Sequence, residues 1–222
     1  MINNKKICLL GNFKFKNIND IFEFDFFKNF FLENLKIGCI IIKNKDVVQQ
    51  EEVKIDYKDQ KIDILIVKKF NCELTKNFLN KQKPDIGIYG GGKDIFSKEI
   101  LEIPKLGIFG CHFGELPFFK GLDTVEWTLF MNKELYISVH KFGTEIDCGS
   151  IFFKQKINYD GFNNFEDIRK CCNINCMQIL PKITKKIISG DFIQVENDKA
   201  YKKYYRMHKN LKKYLKKKLN FN

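Results

Sequence analysis

The chain has 222 residues, 44% of them hydrophobic, which suits one folded domain with a sizeable core and excludes a disordered or fibrous protein. A formal charge of +12 admits an anionic partner (nucleic acid, a membrane surface or a small substrate), although a chain rich in Lys throughout reaches such a value without one. No apolar run approaches a membrane span, the apolar stretch after Lys5 and Lys6 is too short for a secretory signal, and most of the eight cysteines lie inside apolar runs, so reduced thiols in a cytoplasmic protein are expected.

Taken in order, residues 6–11 (KICLLG) read as a first buried strand followed by the turn Gly11-Asn12-Phe13. In a nucleotide-binding α/β unit this loop would hold a phosphate on backbone N–H groups at a helix start; one glycine followed by Phe13, Lys14 and Phe15 makes a poor cradle, and no G-x-G-x-x-G is present. Residues 18–35, rich in Phe and Leu with charged spacing, predict a helix covering a sheet, and 36–43 a second strand. The polar stretch 46–60 predicts loop with a short edge element; 62–67 is a third strand, and 71–82 a helix with Asn71 as N-cap. Strand 85–89 ends in Gly90-Gly91-Gly92, which is either a flexible turn or a place where a flat ligand approaches the main chain.

A short helix over 97–101 precedes an apolar strand over 106–109, whose end carries Gly110, Cys111, His112 and Gly114. Residues 122–132 predict a helix with Asp123 or Thr124 near its cap. Strand 136–142 runs into a loop holding Thr144, Glu145, Asp147 and Gly149, so a His sits just past one strand and an Asp just past another, each flanked by glycine. A strand over 150–157 and a long helix over 165–189, punctuated by Pro181 and ended by Gly190, follow. The tail 201–219 holds nine Lys or Arg residues; Tyr204, Met207, Leu211, Tyr214 and Leu215 recur at helical spacing, which predicts an amphipathic helix against the body and, as a second reading, a nucleic-acid face. Cys171, Cys172 and Cys176 lack the second cluster or nearby His that would complete a tetrahedral zinc site, so no metal is expected. His140, in mid-strand, reads as a core or surface residue, and Cys111, on the opposite strand face from its neighbours, is not expected to be a nucleophile.

Several ordered pieces carry a resemblance. Gly110-Cys111-His112-Phe113-Gly114-Glu115-Leu116-Pro117, then Phe118-Phe119-Lys120-Gly121, is followed by Glu126-Trp127 and by Ile146-Asp147-Cys148-Gly149. Together with Lys83-Pro84-Asp85-Ile86-Gly87-Ile88-Tyr89-Gly90 these resemble the folate-dependent formyltransferases, which carry Asn-x-His-x-Ser-x-Leu-Pro and a later Asp-x-Gly loop. The likeness is strongest over 83–157. The family's Asn falls on Gly110 and its Ser on Gly114.

The resemblance implies an α/β, Rossmann-like formyltransferase fold, with a mostly parallel central sheet flanked by helices over 1–200 and a Lys-rich helical C-terminal extension over 201–222. It implies His112 and Asp147 as catalytic residues and 10-formyltetrahydrofolate as formyl donor. Tyr89, Gly90, Gly91, Gly92, Ile95, Thr144, Glu145 and Ile146 would line the folate pocket, and Gly110, Gly114, Glu115 and Lys120 would meet the acceptor. With no side chain at Gly110, a backbone N–H, a water or Thr144 would have to replace the family's Asn as oxyanion donor. The family's methionyl-tRNA enzymes carry a further C-terminal domain, its hydrolases an N-terminal one and its purine enzyme a phosphate loop. None of these is expected here, which leaves a small amine, with a nucleotide-linked amino sugar favoured. A catalytically weakened folate-binding protein and an RNA-linked acceptor are the alternatives; no membrane partner is expected, nucleic acid is not favoured and a homodimer stays open.

Overall fold

The computed structural model describes residues 5–47, 49–198 and 200–221. The elements run β1 (Ile7–Asn12), a 3-10 turn (Ile18–Glu23), α1 (Asp25–Leu32), β2 (Ile37–Lys43), β3 (Glu51–Tyr57), β4 (Gln60–Val67), α2 (Glu73–Gln82), β5 (Ile86–Tyr89), α3 (Lys98–Leu101) and β6 (Ile108–His112). There follow β7 (Lys120–Gly121), α4 (Thr124–Phe130), β8 (Tyr136–Lys141), β9 (Ile151–Lys156), α5 (Phe165–Ser189), β10 (Lys203–Tyr204) and α6 (Lys209–Lys218).

Eight strands form one sheet in the order β3-β4-β2-β1-β5-β6-β8-β9. The run from β4 to β6 is parallel, whereas β3, β8 and β9 each pair antiparallel. The parallel strands are covered on both faces, which is why β2 reads as an unbroken Ile-rich run rather than an alternation. One face packs on α1, α4, α5 and α6 through Phe27, Leu129, Leu180 and Leu215; the other packs on α2 and α3 through Phe78, Leu79 and Ile100. The mostly parallel sheet flanked by helices is therefore as expected.

Three expectations are corrected locally. The segment 18–35 is not one helix: Asn17 and Asp20 close a reciprocal cap on the 3-10 turn, and Phe24, extended, starts α1 anew. The polar stretch 46–60 holds a seven-residue strand, β3, whose alternating exposure fits a charged sheet edge. Asn71 does not cap α2; its side chain accepts from the Ser97 N–H and donates to the Ile95 carbonyl, and Cys72 stands at the cap.

The tail also departs from a single helix. Tyr204 lies in β10, which pairs parallel with β7, and the helix begins only after His208. Met207 and Leu215 are buried, while Tyr214 faces outward. Among the described residues no helix is long and apolar enough to cross a membrane.

Candidate active site

His112 is the last residue of β6, not a residue beyond it. Its side chain shares a sheet face with Gly110 and with His140, the cross-strand partner of Gly110 on β8. Because β8 runs antiparallel to β6, the loop after β8 starts near the opposite end of β6 from His112. It must return across the sheet face to bring Asp147 back, and so the loops after β6 and β8 leave opposite edges of the sheet.

The return is tightly held. Asp147 adopts a left-handed backbone (φ 53°), and its Oδ2 accepts from the Gly121 N–H at 2.8 Å and lies 3.4 Å from His112 Nδ1. Oδ1 lies 3.6 Å from His140 Nε2. Asn197, from the segment after α5, donates its side-chain amide to the carbonyls of Asp147 (2.8 Å) and Gly149 (2.9 Å). The other ring nitrogen of His112, Nε2, lies 2.7 Å from the Phe119 carbonyl, so it donates there. Ser138 pins the intervening turn, donating to the Gly114 carbonyl and accepting from the Leu116 N–H.

His140 is 2% exposed. Burial pushes its imidazole down to about 4, against the opposing pull of the Asp147 carboxylate, so the ring is neutral near pH 7 and has one hydrogen to give, to Asp147 or to the Lys141 carbonyl. His140 is buried, as one sequence reading had it, yet it touches Asp147. Period-two alternation through Ser138, His140 and Phe142 marks the face, but only the pairing with β6 shows whose face it is.

The two glycines at the family's Asn and Ser positions have a packing reason. A Cβ on Gly110 would meet the Phe142 ring at 2.6 Å and the Tyr89 carbonyl at 3.2 Å; a Cβ on Gly114 would meet the Phe119 carbonyl at 2.7 Å and His112 Nε2 at 2.8 Å. Phe142 thus occupies the space a side chain at 110 would need, and Gly114 leaves room for the His112–Phe119 bond.

A cleft of about 920 Å³ is lined by His112 and Asp147, and its other lining residues fall, by the elements that carry them, into two wings. One is walled by residues 89–96 and by Phe142, Gly143, Glu145, Ile146 and Asp147; the other by Cys111, Asp123, Val125, Arg169, Met177, Arg206 and Lys212. In the first wing Tyr89 donates to Asp94 at 2.7 Å, and Asp94 pairs with the buried Lys43. Burial and the adjacent carboxylate push the Tyr89 hydroxyl up. Gly92 (φ 139°) allows this link, since a Cβ there would lie 2.1 Å from Tyr89 Oη; Gly91 (φ 113°) faces open space.

Tyr89, Gly90, Gly91, Gly92, Ile95, Glu145 and Ile146 all line the first wing. Thr144 is exposed and outside the lining, so a role as replacement oxyanion donor is not supported. Lys120 is 0% exposed, with its ammonium on the Asp198 carbonyl and 3.6 Å from Cys148 Sγ, and so does not face an acceptor. Glu115 pairs with Lys154 at 3.4 Å, and Gly110 and Gly114, like Glu115, stand outside the cleft lining. Sequence reasoning missed His140, Phe142, Gly121 and Asn197, which hold Asp147 or shape its surroundings by contacts distant along the chain.

No family model matches the chain. It is 29% identical over 146 residues to the bifunctional polymyxin resistance protein ArnA of Wigglesworthia glossinidia brevipalpis, covering 65% of this chain and 22% of that protein. It is 25% identical over 140 residues to the methionyl-tRNA formyltransferase of Thermotoga maritima, covering 63% of this chain and 45% of that one; the chain thus matches less than half the length of these relatives. Among solved structures, a Shewanella sugar N-formyltransferase superposes with TM-score 0.63 at 11% identity, covering 90% of this chain and 76% of that one. The formyltransferase PseJ of Anoxybacillus kamchatkensis, solved with UDP-4,6-dideoxy-4-formamido-L-AltNAc and tetrahydrofolate, gives TM-score 0.52 at 20% identity, covering 95% and 89%. The chain is thus similar in sequence to a methionyl-tRNA formyltransferase and in structure to sugar formyltransferases, and its Rossmann-like α/β fold is the one those structures share.

Proposed function

We propose that this chain transfers a formyl group from 10-formyltetrahydrofolate to the amine of a nucleotide-linked amino sugar. The observation that carries the reading is the His112–Asp147 contact at the junction of the two wings. The first wing suits a flat heterocycle: the open main chain at Gly91 and the exposed side chains of Ile95 and Ile146 line the same cleft. The donor supplies an activated formyl carbon. As the amine nitrogen bonds to that carbon, negative charge builds on the formyl oxygen, and the His112 Nε2–H is the donor this chain can present to it once it leaves the Phe119 carbonyl. A proton must leave the amine and one must reach the departing folate nitrogen; the imidazole can relay both, with Asp147 orienting it and balancing its charge.

A second reading, a folate-binding protein of low turnover, is favoured by one observation. No side chain at 110 supplies an amide donor, and His112 Nε2 is held by the Phe119 carbonyl. Incubation with 10-formyltetrahydrofolate and a panel of amines separates the two. The panel includes nucleotide-linked 4-amino sugars, glycinamide ribonucleotide and methionyl-tRNA. Release of tetrahydrofolate with an amino sugar, abolished in His112→Ala and Asp147→Asn at unchanged circular dichroism, is the expected result. Folate binding without turnover supports the second reading, formylation of methionyl-tRNA moves the acceptor to an RNA-linked amine, and neither binding nor turnover overturns the proposal.

A further inference from the structure

The second wing of the cleft ends in charges that the chemistry at His112 does not use. Asp123, at the N-cap of α4, and Glu126 within it face Arg169 on α5 and Lys212 on α6: Arg169 pairs with Glu126 and with Asp123 (3.6 Å), and Lys212 with Asp123 (2.7 Å) and Glu126 (2.8 Å). Both cations converge on Glu126 Oε1, and the buried Oε2 has no hydrogen-bond partner. Arg206 lines the same cleft and precedes Met207, whose N–H donates to Asp123 Oδ2 at 3.0 Å; it is exposed, and its guanidinium has no ion pair or hydrogen bond among the described residues. Three cations therefore stand against two carboxylates. The ion pairs of Arg169 run through Nη2 alone, and its side chain is 38% exposed, so the rest of its fork is free to point at a ligand.

The place where an α/β nucleotide site would hold phosphate is closed. The loop after β1 is plugged by Phe13: its ring lies 1.9 Å from where a Cβ on Gly11 would stand and packs on Phe24, Phe26 and Phe27. An anionic acceptor has to be met elsewhere along the cleft.

We propose that Arg206, with the free edges of Arg169 and Lys212, forms an anion subsite that takes the diphosphate of a nucleotide-linked acceptor. The assignment rests on the formyl-transfer reading for its substrate class. The subsite is built by α5, α6 and the segment joining β10 to α6, and the apolar wall of Cys111, Val125 and Met177 belongs to the same wing, leaving room for the sugar between the phosphates and His112. Asp123 and Glu126 hold the two inner cations in place, while Arg206 supplies the uncompensated charge. A guanidinium suits this task because its planar fork matches phosphate oxygens.

Titration calorimetry with UDP, with inorganic pyrophosphate and with 5-formyltetrahydrofolate tests this on the full chain. UDP and pyrophosphate are expected to bind the wild type, about tenfold more weakly in Arg206→Ala and more weakly still in Arg206→Glu, as loss of a charged hydrogen bond to phosphate predicts. Lys213→Ala, an exposed α6 lysine outside the cleft lining, is expected to leave UDP affinity unchanged, and all variants to bind the folate analogue alike. Equal UDP affinity in wild type and Arg206→Glu overturns the subsite. An equal loss in Lys213→Ala does so too, because binding is then diffuse charge. Folate-analogue binding without UDP or pyrophosphate binding removes the subsite and leaves formyl transfer standing, whereas binding of none of the three removes both.

Discussion

Phe142 stands over Gly110, so the missing amide donor and the aromatic ring are one substitution in space although they lie far apart in sequence. Gly110→Asn alone is expected to lose stability by about 1–3 kcal/mol, since the new Cβ displaces the ring, and not to raise turnover. Gly110→Asn combined with Phe142→Ala opens that space, and turnover is expected to rise above that of Phe142→Ala alone; steady-state assays of the variants, with urea unfolding as control, check both. Motif spacing is enough to single out His112 and Asp147, because a short motif carries its residues in fixed order. The occupant of the space beside them is set by strand pairing, and pairing leaves no local mark. His140 shows the same limit: its alternation is legible, its neighbour is not.

The loop after β5 behaves as a unit because one contact passes through it. Gly92→Ala would set a Cβ 2.1 Å from Tyr89 Oη at a φ of 139°, so the Tyr89–Asp94–Lys43 chain must break. A loss of about 2–4 kcal/mol and a marked weakening of folate-analogue binding are expected. Gly91→Ala meets no atom within 4 Å and carries only backbone strain, about 1 kcal/mol, so it should fold and bind nearly as wild type. Thermal melts and folate-analogue titration of the two variants distinguish them. A larger residue, Gly91→Val, tests whether a ligand itself needs the open space. The extent of α5 was legible from its long helical run and the Gly190 that ends it; the 3-10 turn, β3 and β10 were not, since a capping box within a Phe-rich run and a two-residue pairing give no periodic signal.

For the whole molecule, acid is a predicted weakness. His140 titrates near 6.5 when exposed and at about 4 when buried, so between these values the unfolded chain binds the extra proton and the folded one does not. This contribution to stability is complete above pH 6.5, is lost as pH falls from 6.5 towards 4, and changes no further below that, the loss being about 3 kcal/mol in all. Urea unfolding at pH 7 and 4.5 should show most of this loss in wild type and much less in His140→Gln. The net charge of +12 makes a separate prediction: the Lys-rich face of α6 should bind nucleic acid only weakly, with affinity lost near physiological salt. Tight, salt-tolerant tRNA binding would instead move the acceptor toward RNA.

The clasp of Asn197 on the carbonyls of Asp147 and Gly149, and the pairing of Tyr204 beside Gly121, also bear on how the protein is made. Both halves of the candidate dyad leave the ribosome long before the residues that set the distance between them. A nascent chain halted after α5 would carry His112 and Asp147 without the contacts that Asn197 and Tyr204 make beside them. The order of synthesis thus lays down the two side chains first and the contacts that hold them near one another afterwards.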